Sequence, residues 1–236
     1  MRINQFLAKC GLGSRRSVEK LIEDGNISLN GKCLSDKSYK VDLENDEITY
    51  LGKKCSLEKA SASTWVFHKP PGYLCTRSDP NRRKTIFDLL PHLEAPFQAV
   101  GRLDKDSRGL LLISKDGELS EKLMHPRYSV SKTYKVLVEG KWKESFKELL
   151  TQGVQMKEGG SGVMSVLSVK ERRLHLYECV VLLHEGKKRE IRYSFEALHL
   201  KVLDLCRTHI GKFSLGDLKE GHSREITKED EALLFE

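Results

Sequence analysis

Gly101–Gly117, GRLDKDSRGLLLISKDG, places five charged side chains (Arg102, Asp104, Lys105, Asp106, Arg108) directly before the aliphatic run Leu110–Ile113. A short, continuous apolar run bounded by turn residues reads as a strand buried on both faces. Gly109 admits a close turn just ahead of it. The charged stretch is then a loop held by a rigid sheet, a common station for reactive side chains. The arginines and lysine favour ionised carboxylates, which is what a nucleophile or base requires. A structural Asp–Arg cluster at the start of a strand makes the same pattern, so spacing alone leaves both readings open.

Outward from this stretch, strands are expected at 65–68, 110–114, 133–138, 163–169, 174–183 and 202–206. Helices are expected at 85–90, 117–124, 143–151 and 188–198. The first strand is broken by Lys69-Pro70-Pro71-Gly72, since proline removes a donor and glycine takes turn conformations. Strands and helices mix without a regular βαβ alternation, which predicts an α+β fold rather than a doubly wound one.

The first 60 residues read as a separate domain, with residues 61–236 as the second and the polar stretch 52–64 as linker. In the first, Ile3, Phe6, Leu7 and Cys10 share a helical face that Gly11 can end. Ser14 is the expected N-cap of a second helix, with Val18, Leu21 and Ile22 on one face and Gly25 closing it. Short strands follow at Asn26–Leu29, Tyr39–Val41 and Ile48–Leu51, with an Asn30–Gly31 turn. Arg15 and Arg16 fall in the first helical turn, where the macrodipole disfavours cations. A phosphate at that helix end would relieve the conflict, which marks Arg15, Arg16 and the nearby Lys20 as RNA-contact candidates.

Composition narrows the class of partner. Of 236 residues, 41 are Lys or Arg and 34 Asp or Glu, a formal charge of +7, so a polyanionic partner is favoured. No apolar run of about 18 residues predicts a membrane span, and the N-terminus has no secretory h-region. Six cysteines without a CxxC pair, and eight histidines without ligand spacing, predict reduced thiols in the cytoplasm and no metal.

The motifs carry the argument further than the charge does. In order along the chain stand FHKPPGYLCTRSDPNRRKTIFDLLP (67–91), GRLDKDSRGLLLISKDG, GELSEKLMHP (117–126), SKTYKVLVEG (131–140) and HEGKKREIRYSFEAL (184–198). This set resembles the RsuA/RluB branch of the pseudouridine synthases, nearer to its RluB-like members. The helix–helix–hairpin of residues 2–50, with GSRR opening its second helix, resembles the αL RNA-binding domain. The resemblance implies a catalytic domain with a mixed, mostly antiparallel sheet. It also implies isomerisation of a uridine in ribosomal RNA of the large subunit, with no cofactor and no metal.

The same resemblance makes Asp104 the nucleophile and Tyr134 the residue stacking on the extruded uracil. It makes Lys187 the cation paired with Asp104, and Leu205 the apolar residue packed against the tyrosine or base. Asp106 is then left to pair with arginines and shape the loop. Arg77, Arg82, Arg83 and Lys84 in the loop after the first strand, with Arg102, Arg189 and Arg192, are expected to contact RNA. Two positions depart from the family pattern: Tyr193 stands where a second arginine is usual, and Ser194 where a larger apolar residue is. The rival readings are a non-catalytic, RNA-binding ribosome-assembly factor on the same fold and a nucleic-acid glycosylase. The enzyme is expected to act as a monomer away from membranes.

Overall fold

The computed structural model describes residues 1–13, 15–57, 63–94 and 96–236. The chain divides into two compact units, residues 1–62 with 93–97, and residues 63–92 with 98–236. The expected Ser14 cap, the side chains of Arg15 and Arg16 and part of the expected linker (58–62) lie outside the described residues.

In the first unit, helices α1 (Ile3–Lys9) and α2 (Arg15–Glu23) pack against a sheet ordered β2-β1-β3-β4, with β1 Ile27–Leu29, β2 Lys32–Cys33, β3 Ile48–Tyr50 and β4 Lys53–Lys54. The predicted helical faces form the core: Ile3, Leu7, Val18 and Ile22 are buried together with Ile27 and Ile48. Asn30–Gly31 turns the β1–β2 hairpin with positive φ at both residues (49° and 78°), as a type I′ turn requires. Leu51–Gly52 does the same between β3 and β4, a second hairpin not anticipated because leucine rarely takes positive φ. The strand expected at Tyr39–Val41 is absent. Lys40 makes only an isolated bridge to Arg2, and the local hydrogen bonds go from Ile3 N–H to Tyr39 O and from Val41 N–H to Met1 O.

The second unit is built on a nine-stranded sheet. Its main path runs β11 (Ser165–Arg173), β12 (Leu176–Leu183), β8 (Lys132–Glu139), β13 (Lys201–Ile210), β7 (Arg108–Ser114), β5 (Thr64–Lys69), β15 (Ser223–Glu225). Strand β6 (Gln98–Val100) pairs with β7 and β14 (Phe213–Ser214) with β13, while β9 (Val154–Gln155) and β10 (Ser161–Gly162) form a separate pair. Among the described pairings between strands only β13–β7 is parallel, so the architecture is α+β with a mixed, mostly antiparallel sheet.

Helices α3 (Gly117–Met124), α4 (Ser145–Gln152), α5 (Glu190–Ala197) and α6 (Lys228–Leu233) complete the unit. The expected helix at 85–90 is a 3-10 turn, Ile86–Leu89, closed by a Thr85–Asp88 capping box. Among the described residues no helix is long and apolar enough to cross a membrane.

The opening stretch accounts for much of this layout. Leu110–Ile113 is fully buried. Leu110 and Leu112 join Val66, Leu119, Leu123 and Ile210 in one core cluster, and burying each such side chain contributes about 1.5–3 kcal/mol. Asp116 caps α3, accepting from Glu118 N–H and Leu119 N–H. Gly109 has a different role from the one expected. It lies inside β7 at φ 109°, and a Cβ there would stand 2.3 Å from Arg207 O. The glycine lets β13 approach in parallel, rather than turning the chain before the strand.

Candidate active site

A cavity of about 650 Å³ opens in the second unit, and Asp104, Tyr134, Lys187, Arg189 and Leu205 all line it. Three of its walls follow directly from strand alternation. Tyr134 on β8 lies opposite Arg207 on β13, and side chains two apart on a strand share a face. Lys132 and Tyr134 therefore stand in one row and Leu205 and Arg207 in the next, and all four reach the cavity. Tyr134 and Leu205 are buried and give it an apolar side.

Asp104 projects from the loop between β6 and β7, its side chain about one-third exposed. The loop is gripped from beneath by Lys69, which is fully buried at the end of β5. The Lys69 ammonium donates to the carbonyls of Pro70 (2.9 Å), Lys105 (3.2 Å) and Ser107 (2.7 Å), the last two just after Asp104 in its loop. Burial lowers the Lys69 pKa, which Cys75, Asp106 and Asp104 partly oppose. Gly72 N–H donates to Lys105 O (2.7 Å). The Cys75 thiol donates to Leu103 O (3.3 Å) and accepts from Leu103 N–H (3.4 Å). The Pro-Pro-Gly break is thus a clamp on the carboxylate's loop.

The cation facing Asp104 is Arg189, not Lys187. Arg189 Nη1 lies 3.9 Å from Asp104 Oδ2, while Lys187 donates its ammonium to Ser161 O (2.9 Å) and pairs with Glu185 (3.5 Å). Arg189 adopts φ 54° just before α5, and this left-handed residue redirects the chain so that the third cation of Lys187-Lys188-Arg189 is the one near Asp104. Beneath it the buried Glu190 carboxylate accepts from Lys187 N–H (2.9 Å) and Val163 N–H (3.2 Å).

Other expected contacts are redistributed. Asp106 meets arginine through its carbonyl, which accepts from Arg192 (3.3 Å), and Arg192 also reaches Ser107 Oγ (3.4 Å). Arg192 is half-buried against the Asp104 loop, and burial lowers its pKa. Arg108 forms a forked ion pair with Asp204 of β13 at 2.7–3.0 Å. In the 70–85 loop, Arg83 forks onto Asp79 at 2.6 and 3.1 Å and holds that carboxyl down to about 2. Arg77 lies over the Phe87 ring at 4.0 Å, and Lys84 over Tyr73 at 5.9 Å. Arg82, Arg102 and Lys20 are exposed, and Arg102 lines the cavity.

The two family departures also find local reasons. The Tyr193 hydroxyl donates to Glu158 (2.5 Å), and its ring lies beneath the Arg189 guanidinium at 5.7 Å. Ser194 is fully buried, and a Cβ on the neighbouring Gly162 would fall 2.1 Å from its hydroxyl, so a large side chain has no room there.

Sequence reasoning missed Lys69, Lys132 and Arg207. The available signal was a charged residue in a position whose strand alternation points inward.

Residues 63–197 match the family model described as RNA pseudouridylate synthase, and residues 1–48 match the S4 domain. A Pseudomonas aeruginosa protein named ribosomal large subunit pseudouridine synthase B is 38% identical over 242 residues, covering 100% of this chain, which spans 62% of that protein's length. Its Bacillus subtilis namesake is 32% identical over 229 residues, covering 96% of this chain and 92% of that protein. The crystal structure of a pseudouridylate synthase shares the fold, with a TM-score of 0.68 at 24% identity over 99% of both chains. The match of residues 63–197 to that family model, together with relatives above 30% identity along nearly all of this chain, identifies it as a member of the RNA pseudouridylate synthase family.

Proposed function

We propose that this protein converts a uridine of large-subunit ribosomal RNA to pseudouridine, with Asp104 as nucleophile. The observation that carries the proposal is the Asp104 carboxylate, fixed by the Lys69 clamp at the mouth of a cavity walled by Tyr134 and Leu205, with Arg189 alongside. The reaction breaks the C1′–N1 bond, rejoins C1′ to C5, releases the C5 proton and returns a proton to N1. It is an isomerisation within one nucleoside and needs no redox partner. Tyr134 stacks on the flipped ring and brings a hydroxyl near C5. The apolar side keeps water from the detached base.

The names of the Pseudomonas and Bacillus relatives support the large ribosomal subunit as substrate, and the S4 match supports an RNA-gripping role for residues 1–48, with Arg15, Arg16 and Lys20 as contacts. Arg77, Arg82, Arg83 and Arg102 serve the RNA strand beside the cavity. A ribosomal RNA substrate supports action in the cytoplasm. Flipping the target out of its stack costs a few kcal/mol, which favours loops or weakly paired sites.

The test is to incubate the protein with ribosomal RNA transcript, digest the RNA and measure pseudouridine and free uracil. Pseudouridine is expected from the unaltered protein and none from Asp104→Ala. Free uracil would identify a glycosylase. RNA binding without either product would identify an assembly factor.

A further inference from the structure

Two cations in the cavity, the buried Arg207 and the partly buried Lys132, have no acidic partner among the described residues, and the proposed reaction supplies one. Arg207 is only 3% exposed. Its Nε donates to Leu110 O (2.7 Å), while its buried Nη2 has no hydrogen-bond partner among the described residues. Lys132, one row away on β8, donates to Val130 O (2.9 Å). Among the described residues neither has a carboxylate within ion-pair distance, whereas Arg108 and Arg189 both do. Burial and the neighbouring Arg207 lower the Lys132 pKa to about 8.

Retaining two such groups side by side disfavours folding unless an anion arrives. Leu110 O and Val130 O engage one donor of each, and the Arg207 Nη2 donors are left over. The close approach of β13 to Gly109 fixes the Arg207 backbone against β7, so the guanidinium is built in before any ligand binds.

We propose that Arg207 and Lys132 form a cationic seat for the oxygens of the uracil ring while it is detached from the ribose. This rests on the proposed isomerisation. When the C1′–N1 bond breaks, its electron pair leaves with the ring. The charge spreads over N1, O2, O4 and C5. It is discharged when C5 bonds to C1′, the C5 proton departs and N1 takes up a proton. Donors already aimed at those oxygens stabilise the anion and need no rearrangement as it forms. A base stacked on Tyr134 lies over the row that Tyr134 shares with Lys132 and faces Arg207 across the strand pair. The phosphates stay at the cavity mouth with the exposed arginines, which is why the seat is assigned to the base.

The experiment compares single-turnover conversion and RNA affinity for the unaltered enzyme, Arg207→Gln, Lys132→Met and Lys132→Arg. Each is given RNA with uridine or with 5-fluorouridine at the target, and loss of the N-linked nucleoside is followed. Fluorine withdraws charge from the ring and makes it a better leaving group. With uridine, Arg207→Gln and Lys132→Met are expected to slow conversion about 100-fold with little change in affinity. Lys132→Arg keeps the charge and restores most of the rate. With 5-fluorouridine the deficit is expected to shrink about tenfold, because the fluorine carries part of the load.

An equal deficit on both RNAs, or a loss confined to affinity, overturns the seat and assigns these cations to a phosphate. If Arg207→Gln does not fold, the two Lys132 variants decide by the same criteria. Absence of pseudouridine from the unaltered enzyme on uridine RNA is a separate result. It removes the isomerase reading itself, and the seat falls with it.

Discussion

Two loops approach each other at the mouth of the cavity, and they are held by opposite means. Gly101–Ser107, which carries Asp104, is fixed from within: a buried lysine on two of its carbonyls, the Gly72 amide and the Cys75 thiol all bind its backbone. His184–Arg189, which carries Arg189, is mostly exposed and rests on the Glu190 carboxylate at its base. Its cations meet solvent-facing partners of the kind worth little individually. The contrast assigns precision to the Asp104 carboxylate and adjustability to the cationic wall. A reacting carboxylate misplaced by about 1 Å can cost 100-fold in rate, while a wall that meets RNA of irregular shape gains from movement.

The largest expected effect breaks the first loop. Lys69→Met keeps the volume of the stem and removes the two hydrogen bonds that the ammonium makes to the Asp104 loop, together with the one to Pro70 O. Turnover should fall about 100-fold with RNA affinity nearly unchanged. Steady-state kinetics with separate kcat and KM would decide it. A loss in KM alone would show that the clamp serves binding rather than placement of Asp104.

The second expectation concerns Lys132, in the wall between the loops. Its folded pKa of about 8 lies below its ordinary value of 10.5. Between these values the unfolded chain holds a proton that the folded chain has released. This group therefore makes folding more favourable as pH rises through that window, and contributes no pH dependence below it. The charge on the seat disappears over the same range. Single-turnover rate should therefore drop about tenfold per pH unit above 8, while urea stability changes in the favourable direction for this group. The charged groups lining the cavity with it are Arg207 on β13, Arg102, Asp104 and Lys105 on the first loop, Asp79 and Arg83 in the 70–85 loop, and Lys187, Lys188, Arg189 and Glu190 opposite. Lys132→Arg should move the alkaline limb upward. An unmoved limb would place the titration elsewhere.

Legibility from sequence follows the same contrast. The long strands were readable because a buried run or a period-2 alternation leaves a local mark. Short elements were not: β6, β14 and β15 have two or three residues, fixed by their partners in the sheet. Asp104, Tyr134 and Leu205 meet at one cavity because each sits on or beside a long strand. The cation beside Asp104 was misread by two residues because the left-handed turn at Arg189, invisible in a run of Lys187-Lys188-Arg189, determines which side chain points inward. Lys69 looked like the end of a strand, since its acceptors, the carbonyls of residues 105 and 107, are distant in sequence.

A smaller effect is expected from loosening the second loop. Glu190→Gln keeps the shape and one acceptor oxygen but gives up the charge that receives the Lys187 and Val163 amides. If the wall is adjustable, KM should rise about threefold with kcat nearly constant, since charged hydrogen bonds contribute modestly when one acceptor survives. A loss in kcat matching that of Lys69→Met would mean that the two loops are equally rigid, and the contrast would disappear.

The smallest effect separates the two ways Tyr193 supports that wall. Its hydroxyl binds Glu158, and its ring packs under the Arg189 guanidinium. Tyr193→Phe removes the first and keeps the second. A cation over an aromatic face depends on the ring's quadrupole, which phenylalanine retains. If the ring positions Arg189 opposite Asp104, Tyr193→Phe should leave kcat/KM within about twofold, whereas Tyr193→Leu, which loses the π face, should lower it several-fold more. Equal losses in both variants would shift the role to the Glu158 hydrogen bond. The second loop would then be anchored through a surface carboxylate, with Arg189 held only through the backbone.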